Sequence, residues 1–368
     1  MVLVLAALLV AGPTSVPAGA GSIGSVVQAA DDGGLALTVS QAFFQGNSTN
    51  GVVLTDPDDA ATASIAAAFA GSGGANRLPL LFTGHGATDA MVRAEIKRVT
   101  GGTGGADAPT VWLAGTSLGG LNGYDVRDLG RGPAAVAKAM VEQGAPAGTA
   151  ERVLVFDPKD WRAGVVAAGF GAAYGVPVVA GGDALPAGLS SMPLPVAIAV
   201  GAVVVPAGKF SRVDKIEGAD PAALSAAAAD GLVAKEHPAG APIAVPVPTR
   251  PIAADGFGDD PGPALLASVV AAALQADGAR PPVLLVDGRP VADLAAGCAS
   301  GSKDKAALCA LEKADGATTV LALTTARRSD GAAQGGRLPG TGGLVFPLAA
   351  AALGLAALVS RRVRLVMR

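Results

Sequence analysis

One arrangement of elements occurs three times along this chain, and a repeat of that length restricts the fold more than any other feature of it. The first passage reads LALTVSQAFF, GVVLTDPDDA, TASIAAAFAG and LPLLFTG. The second reads PAAVAKAMVEQG, RVLVFDPKDW, AGVVAAGFGAAYG and VPVVAGG, so that Asp157 and Asp160 follow Asp56 and Asp59 at a spacing of 101 residues. The third, PAALSAAAADGLVA, RPIAADGFGDD, PALLASVVAAALQADG and PPVLLVDG, is looser and places Asp255 and Asp259 at its strand end. Each passage has a later apolar strand as well: PTVWLAG, PVAIAVG and TTVLALT. Uninterrupted runs of Val, Leu and Ile separated by helices predict parallel sheets buried on both faces and joined by right-handed crossovers. The expected fold is α/β: three tandem Rossmann-like parallel-sheet repeats, pseudo-threefold, over residues 31–125, 126–220 and 221–327.

The two ends fall outside that pattern. Met1 to Val10 is apolar, and Gly12-Pro13 and Ala18-Gly19-Ala20 follow, as in a secretory signal peptide over residues 1–20 cleaved after Ala20. It departs from the usual form in having no Lys or Arg before Arg77. At the other end a polar linker, 328–337, leads to Leu338-Pro339-Gly340-Thr341-Gly342, then to eighteen uncharged residues from Gly343 to Ser360. A helix of that length is ~27 Å long, close to the ~30 Å hydrocarbon core of a bilayer, so 343–360 is expected to be a transmembrane helix. Arg361, Arg362, Arg364 and Arg368 form a tail (361–368) that would stay in the cytoplasm and halt export there. Pro339 fixes its own φ and keeps Leu338 extended, which suits a peptide lying in an enzyme groove. This order of motif, span and basic tail resembles the sorting signal of sortase substrates. That resemblance implies cleavage between Thr341 and Gly342, transfer of Thr341 to a peptidoglycan amine, and contact with the membrane only before sorting.

Without the tail the chain keeps 23 Lys and Arg against 30 Asp and Glu, a net charge of −7. An acidic chain lacking a basic run excludes nucleic acid as an expected partner, because phosphate binding depends on clustered cations. Charged residues make up only 15% and aromatics 4%, so the core is expected to consist of small side chains. Cys298 and Cys309 share one segment, and export would put them in an oxidising compartment where a disulfide is expected, two buried thiols being the alternative.

The repeats themselves resemble the bacterial cell-wall-binding repeat family of type 2. RLPLLFTG, GVPVVAGG and RPPVLLVDG match that family's strand, and RDLGRGPAAVAKA from Arg127 and RVDKIEGADPAALSAAA from Arg212 match its repeat opener, without the Arg-Tyr pair. The resemblance implies a ring of three units that holds a surface protein noncovalently to anionic wall polymer.

Candidate chemistry is sparse. Gly115-Thr116-Ser117-Leu118-Gly119 fits the G-x-S-x-G elbow, and Asp183 or Asp214 and then His237 would complete a hydrolase order. The glycine-rich LGGLNGYDVRDLGRG that follows Ser117 has no helical period, however, and an elbow must feed a helix. Two histidines, His85 and His237, lie far in sequence from both cysteines, so no zinc site is expected. Strand ends in parallel sheets are where ligands bind, which makes Asp56, Asp59, Asp157, Asp160, Asp255 and Asp259 the candidate ligand rim. Asp56, Asp58 and Asp59 could offer oxygens to calcium; the alternative is that Asp56 and Asp157, each before a proline, cap the next helix. No catalytic residue, metal or cofactor is assigned. The expected function is a wall-anchored surface protein whose repeats bind wall polymer or another surface glycan, with sortase and peptidoglycan as partners. A serine hydrolase using Ser117 and a display scaffold with no ligand are the alternatives.

Overall fold

The computed structural model describes residues 22–72, 77–103, 108–142, 152–182, 195–205, 210–218, 224–225, 227–228, 243–247, 261–274, 283–287 and 319–325. The signal segment 1–20, Cys298, Cys309, the linker, the LPGTG motif, 343–360 and the Arg tail lie outside the described residues. Among the described residues, no helix is long and apolar enough to cross a membrane.

The chain is a mixed α/β protein. Its strands are β1 (Ser22–Ala29), β2 (Gly51–Thr55), β3 (Leu80–Phe82), β4 (Thr110–Ala114), β5 (Asp125–Asp128), β6 (Arg152–Phe156), β7 (Val178–Ala180), β8 (Val196–Val200), β9 (Arg212–Ile216), β10 (Ile243–Val247), β11 (Val283–Asp287) and β12 (Thr319–Thr325). Between them run α1 (Asp32–Phe43), α2 (Ala60–Ser72), α3 (Asp89–Thr100), α4 (Pro133–Glu142), α5 (Trp161–Tyr174) and α6 (Gly262–Leu274). They build four-stranded sheets in the orders β3-β2-β4-β5, β7-β6-β8-β9 and β11-β10-β12-β1. Among the described residues every strand pairing is parallel, as the apolar runs predict.

The sheets draw their edge strands from neighbouring passages. In the first two, the edge strand is the repeat opener of the passage that follows: β5 completes the first sheet and β9 the second. In the third, that place is taken by β1, which pairs with β12 from Ser22 opposite Thr319 to Ala29 opposite Thr325. Residues just after the expected cleavage point are therefore a strand of the fold, and the N-terminal and C-terminal parts of the chain close on each other. Helix α3, between β3 and β4, was not part of the repeated pattern as read from sequence. It is the most polar of the helices, with only Val92, Glu95, Ile96, Val99 and Thr100 buried.

Small residues decide how the units meet. Helix α2 is buried on nearly every face, from Ala61 through Gly71, and packs against α5 and α6. A Cβ on Gly71 would lie 2.4 Å from the Cβ of Ala172 and 2.8 Å from that of Ala272, so the C-terminal ends of three helices converge on one hydrogen atom. Near the other end, a Cβ on Gly164 of α5 would lie 2.7 Å from the Ser64 hydroxyl of α2. Helices α2 and α5 thus run side by side in the same direction, and the strand ends that precede them open on the same side.

One ion pair, its carboxylate buried and its guanidinium partly exposed, ties α3 to α1. Glu95 is 3% exposed and accepts from Arg98 at 2.6 and 2.8 Å, while Arg98 also donates to the terminal carbonyls of α1, Ser40 at 3.1 Å and Phe44 at 2.9 Å. The hydrogen bonds to Glu95, helped by its charge and opposed by burial, hold the Arg98 guanidinium above the usual arginine pKa.

Candidate functional site

The rim at the C-terminal ends of the first sheet is set by where the chain must turn from strand into helix. After β2, the Asp56 carboxylate accepts the amide of Asp58 at 3.0 Å and closes a tight turn over Pro57. Asp59 then caps α2: it accepts the Thr62 amide at 3.2 Å and the Thr62 hydroxyl at 2.6 Å, satisfying a donor that the first helical turn leaves open. After β4, Gly115 takes φ +71°, and a Cβ there would come within 3.0 Å of the Thr62 methyl. The hydroxyls of Thr83 and Thr116, at the ends of β3 and β4, are hydrogen-bonded to each other.

The turn after β3 carries the second half of the rim. Gly84, His85 and Gly86 all have positive φ, +79°, +51° and +93°, and the amide of Gly33 in α1 donates to the His85 carbonyl at 2.7 Å. A side chain on Gly86 would collide with the carboxylate of Asp31, which caps α1 through the Gly34 amide at 2.7 Å. Held in this way, the His85 ring reaches the turn that follows β2. Its Nε2 lies 3.0 Å from Asp56 Oδ1 and 3.7 Å from Asp58 Oδ2, with side-chain exposures of 26% for His85, 42% for Asp56 and 83% for Asp58.

The second sheet repeats the scaffold and changes the side chains upon it. Asp157 accepts the Lys159 amide at 2.9 Å, and Asp160 caps α5 through the amides of Arg162 at 3.1 Å and Ala163 at 3.3 Å. Gly201 matches Gly115, with the same φ of +71°, at the end of the central strand β8. Here, though, Lys159 stands where the first rim has Asp58, and Gly181-Gly182 follows β7 where Thr83-Gly84-His85 follows β3. Beside Lys159, Trp161 is half-buried, with the Arg162 guanidinium 4.8 Å from its ring centre.

These contacts correct the sequence reading at several points. Asp56 and Asp157 do not cap helices; each braces a turn two residues long, and the caps are Asp59 and Asp160. Asp255 and Asp259 lie outside the described residues, and Pro261 is the residue before α6, its carbonyl accepting from Leu265 at 3.0 Å. Ser117 is exposed in an irregular loop, and the next helix starts only at Pro133, so no helix N-terminus supports it. Asp214 lies on β9 paired with Arg212 at 2.8 Å, while Asp183 and His237 are outside the described residues. The grouping of His85 with Asp56 and Asp58 escaped sequence reasoning. The one signal for it was a histidine between two glycines directly after an apolar strand.

The fold and its strand-end rims define a class of α/β proteins built from short parallel sheets. Among the solved structures that share this fold are two from Clostridium difficile. Cwp8 from Clostridium difficile aligns with a TM-score of 0.56 and 16% identity over 82% of this chain and 49% of its own length. Cwp6 from Clostridium difficile aligns with a TM-score of 0.56 and 14% identity over 82% of this chain and 45% of its own. The chain thus spans about half the length of these structural relatives. No protein-family model matches the sequence, and no curated protein matches it.

Proposed function

We propose that this chain is a cell-surface protein whose α/β units, three copies of one Rossmann-like unit about a pseudo-threefold axis, bind a wall polymer or surface glycan while Thr341 is joined to peptidoglycan by a sortase. The observation that carries this reading is the fold held in common with Cwp8 and Cwp6, which are cell wall proteins. It coincides with a C-terminal LPGTG, apolar span and Arg tail, an order that only export and sorting require together. Neither feature depends on the other.

The rim of the second sheet is the better match for an anionic glycan. Lys159 is exposed there, and the Arg162 guanidinium, held over the half-buried Trp161 ring, is a second cation beside it, a pair that suits a negatively charged sugar. The first rim, with Asp31, Asp56 and Asp58, repels such a polymer. Sedimentation of the purified chain with isolated wall sacculi tests the reading. Retention is expected on intact sacculi, with loss after chemical removal of their anionic polymers and weakening in the Lys159→Ala and Trp161→Ala variants. No retention on any sacculus would leave only a scaffold without a wall ligand.

A further inference from the structure

The repeated architecture supplies an internal standard for separating scaffold from chemistry. Positions that do the same work in the first two units, Asp56 and Asp157 in their turns, Asp59 and Asp160 as caps, Gly115 and Gly201 at positive φ, are needed to build the rim. Asp58 and His85 are not. The second unit builds the same turn with Lys159, and follows β7 with two glycines.

We infer that Asp56, Asp58 and His85 form a binding site for one divalent metal ion of the kind that accepts mixed nitrogen and oxygen ligands, such as Zn²⁺ or Mn²⁺. Three geometric facts carry this. One ligand atom from each residue lies within 4.8 Å of the other two. Two ligands bound at ~2.1 Å with a tetrahedral angle between them sit ~3.4 Å apart, and the His85 Nε2 distances of 3.0 Å to Asp56 and 3.7 Å to Asp58 bracket that value. Among the described residues, no Lys or Arg pairs with either carboxylate, and the His85 Nε2 is the one ring nitrogen within 4 Å of both. Two adjacent carboxylates on one imidazole leave an excess of negative charge, which a divalent ion would neutralise.

The donor set also selects the ion. Calcium and magnesium favour all-oxygen shells, whereas an imidazole with two carboxylates suits first-row transition metals. With Asp58 83% exposed, at least one further coordination position faces outward, toward water or an incoming ligand. The imidazole is presented by a turn whose conformation is fixed through the Gly33 amide and the close approach of Gly86 to Asp31, so little rearrangement is needed for binding.

The test is calorimetric titration of the full-length chain in mild detergent with Zn²⁺, Mn²⁺ or Ca²⁺ alone, together with the visible spectrum of Co²⁺ as a report of nitrogen ligation. One saturable equivalent of Zn²⁺ or Mn²⁺ is expected, with a rise in melting temperature on binding. His85→Asn, chosen because Asn tolerates positive φ, should weaken binding by ~10- to 100-fold or more. Asp58→Lys, which installs the residue the second unit uses, should abolish binding without lowering the metal-free melting temperature. His237→Asn should leave binding unchanged. Absence of a saturable equivalent, or wild-type affinity in His85→Asn, overturns the inference. It stands apart from the wall-binding reading: failure on sacculi would not touch it, and failure to bind metal would not touch retention at Lys159 and Trp161.

Discussion

Replacing Gly71 by alanine should destabilise this protein, against the usual sign of that change. In an ordinary helix, Gly→Ala gains roughly 0.5–1 kcal/mol by restricting the unfolded chain. At position 71 the new methyl would lie 2.4 Å from the Ala172 Cβ, 2.8 Å from the Ala272 Cβ and 3.1 Å from the Ala172 Cα. Carbon atoms pack at about 3.5–4.0 Å, so α5 and α6 must retreat by roughly 1 Å from α2 along a face buried throughout. Overpacking of that kind costs about 1–3 kcal/mol. Because residue 71 lies in the last turn of α2, where helix propensity counts for less, the net loss should be about 1–2 kcal/mol. In a domain of this size that is a fall of a few degrees in Tm. Ala172→Gly removes the nearest obstacle. The double variant should recover part of the loss, with a coupling of about 1 kcal/mol in a double-mutant cycle measured by urea unfolding. If Gly71→Ala stabilises the protein, or if the two changes are strictly additive, the three helices do not meet at this point and the description of the core is wrong.

Two further perturbations probe how the chain closes. Deleting Ser22 to Ala29 strips the edge strand from β12 and should cost several kcal/mol in lost pairing, lower the soluble yield and expose a sheet edge to aggregation; a truncated chain that melts like the intact one would show that β1 is dispensable. Arg98→Met leaves the Glu95 carboxylate, 3% exposed, without its partner, and should cost about 3–5 kcal/mol in chemical denaturation. The added change Glu95→Gln should recover much of that, and no recovery would mean that Arg98 acts mainly through the carbonyls of Ser40 and Phe44.

What could be read from the sequence is what local chemistry encodes. GVVLT and RVLVF are short apolar runs followed by Asp-Pro and an Ala-rich stretch, and they are β2 and β6 leading into α2 and α5. The capping role was assigned to the wrong aspartates because a turn intervenes: the carboxylate directly after the strand braces the turn, and only the one three residues on meets the helix amides. The N-terminal strand was hidden by distance. Its partner, β12, begins at Thr319, and nothing in the small, apolar sequence after residue 20 distinguishes a strand from the flank of a signal peptide. His85 was hidden in the same way, since Asp56 and Asp58 belong to a different strand end and a lone histidine carries no sign of its neighbours. Helix α3, with Asp89, Arg93, Glu95, Lys97 and Arg98 among its twelve residues, lacked the apolar composition that marked the others.

The charges divide in a way that bears on function. The first rim has carboxylates around a histidine, and the second has a lysine, an arginine and a tryptophan on an almost identical turn. A repeated fold can thus present two different chemistries on one side of the molecule without altering the residues that shape it. In the proposed reading, one unit meets an anionic glycan directly and another holds a cation.

The most direct measurement is the mass of the C-terminal peptide recovered after muralytic digestion of cells that make this protein. The account predicts a peptide that ends at Thr341 and carries a fragment of wall peptide on its carboxyl group, absent in Thr341→Ala. An unmodified peptide that continues through Gly342 into the apolar segment and the Arg tail would contradict it.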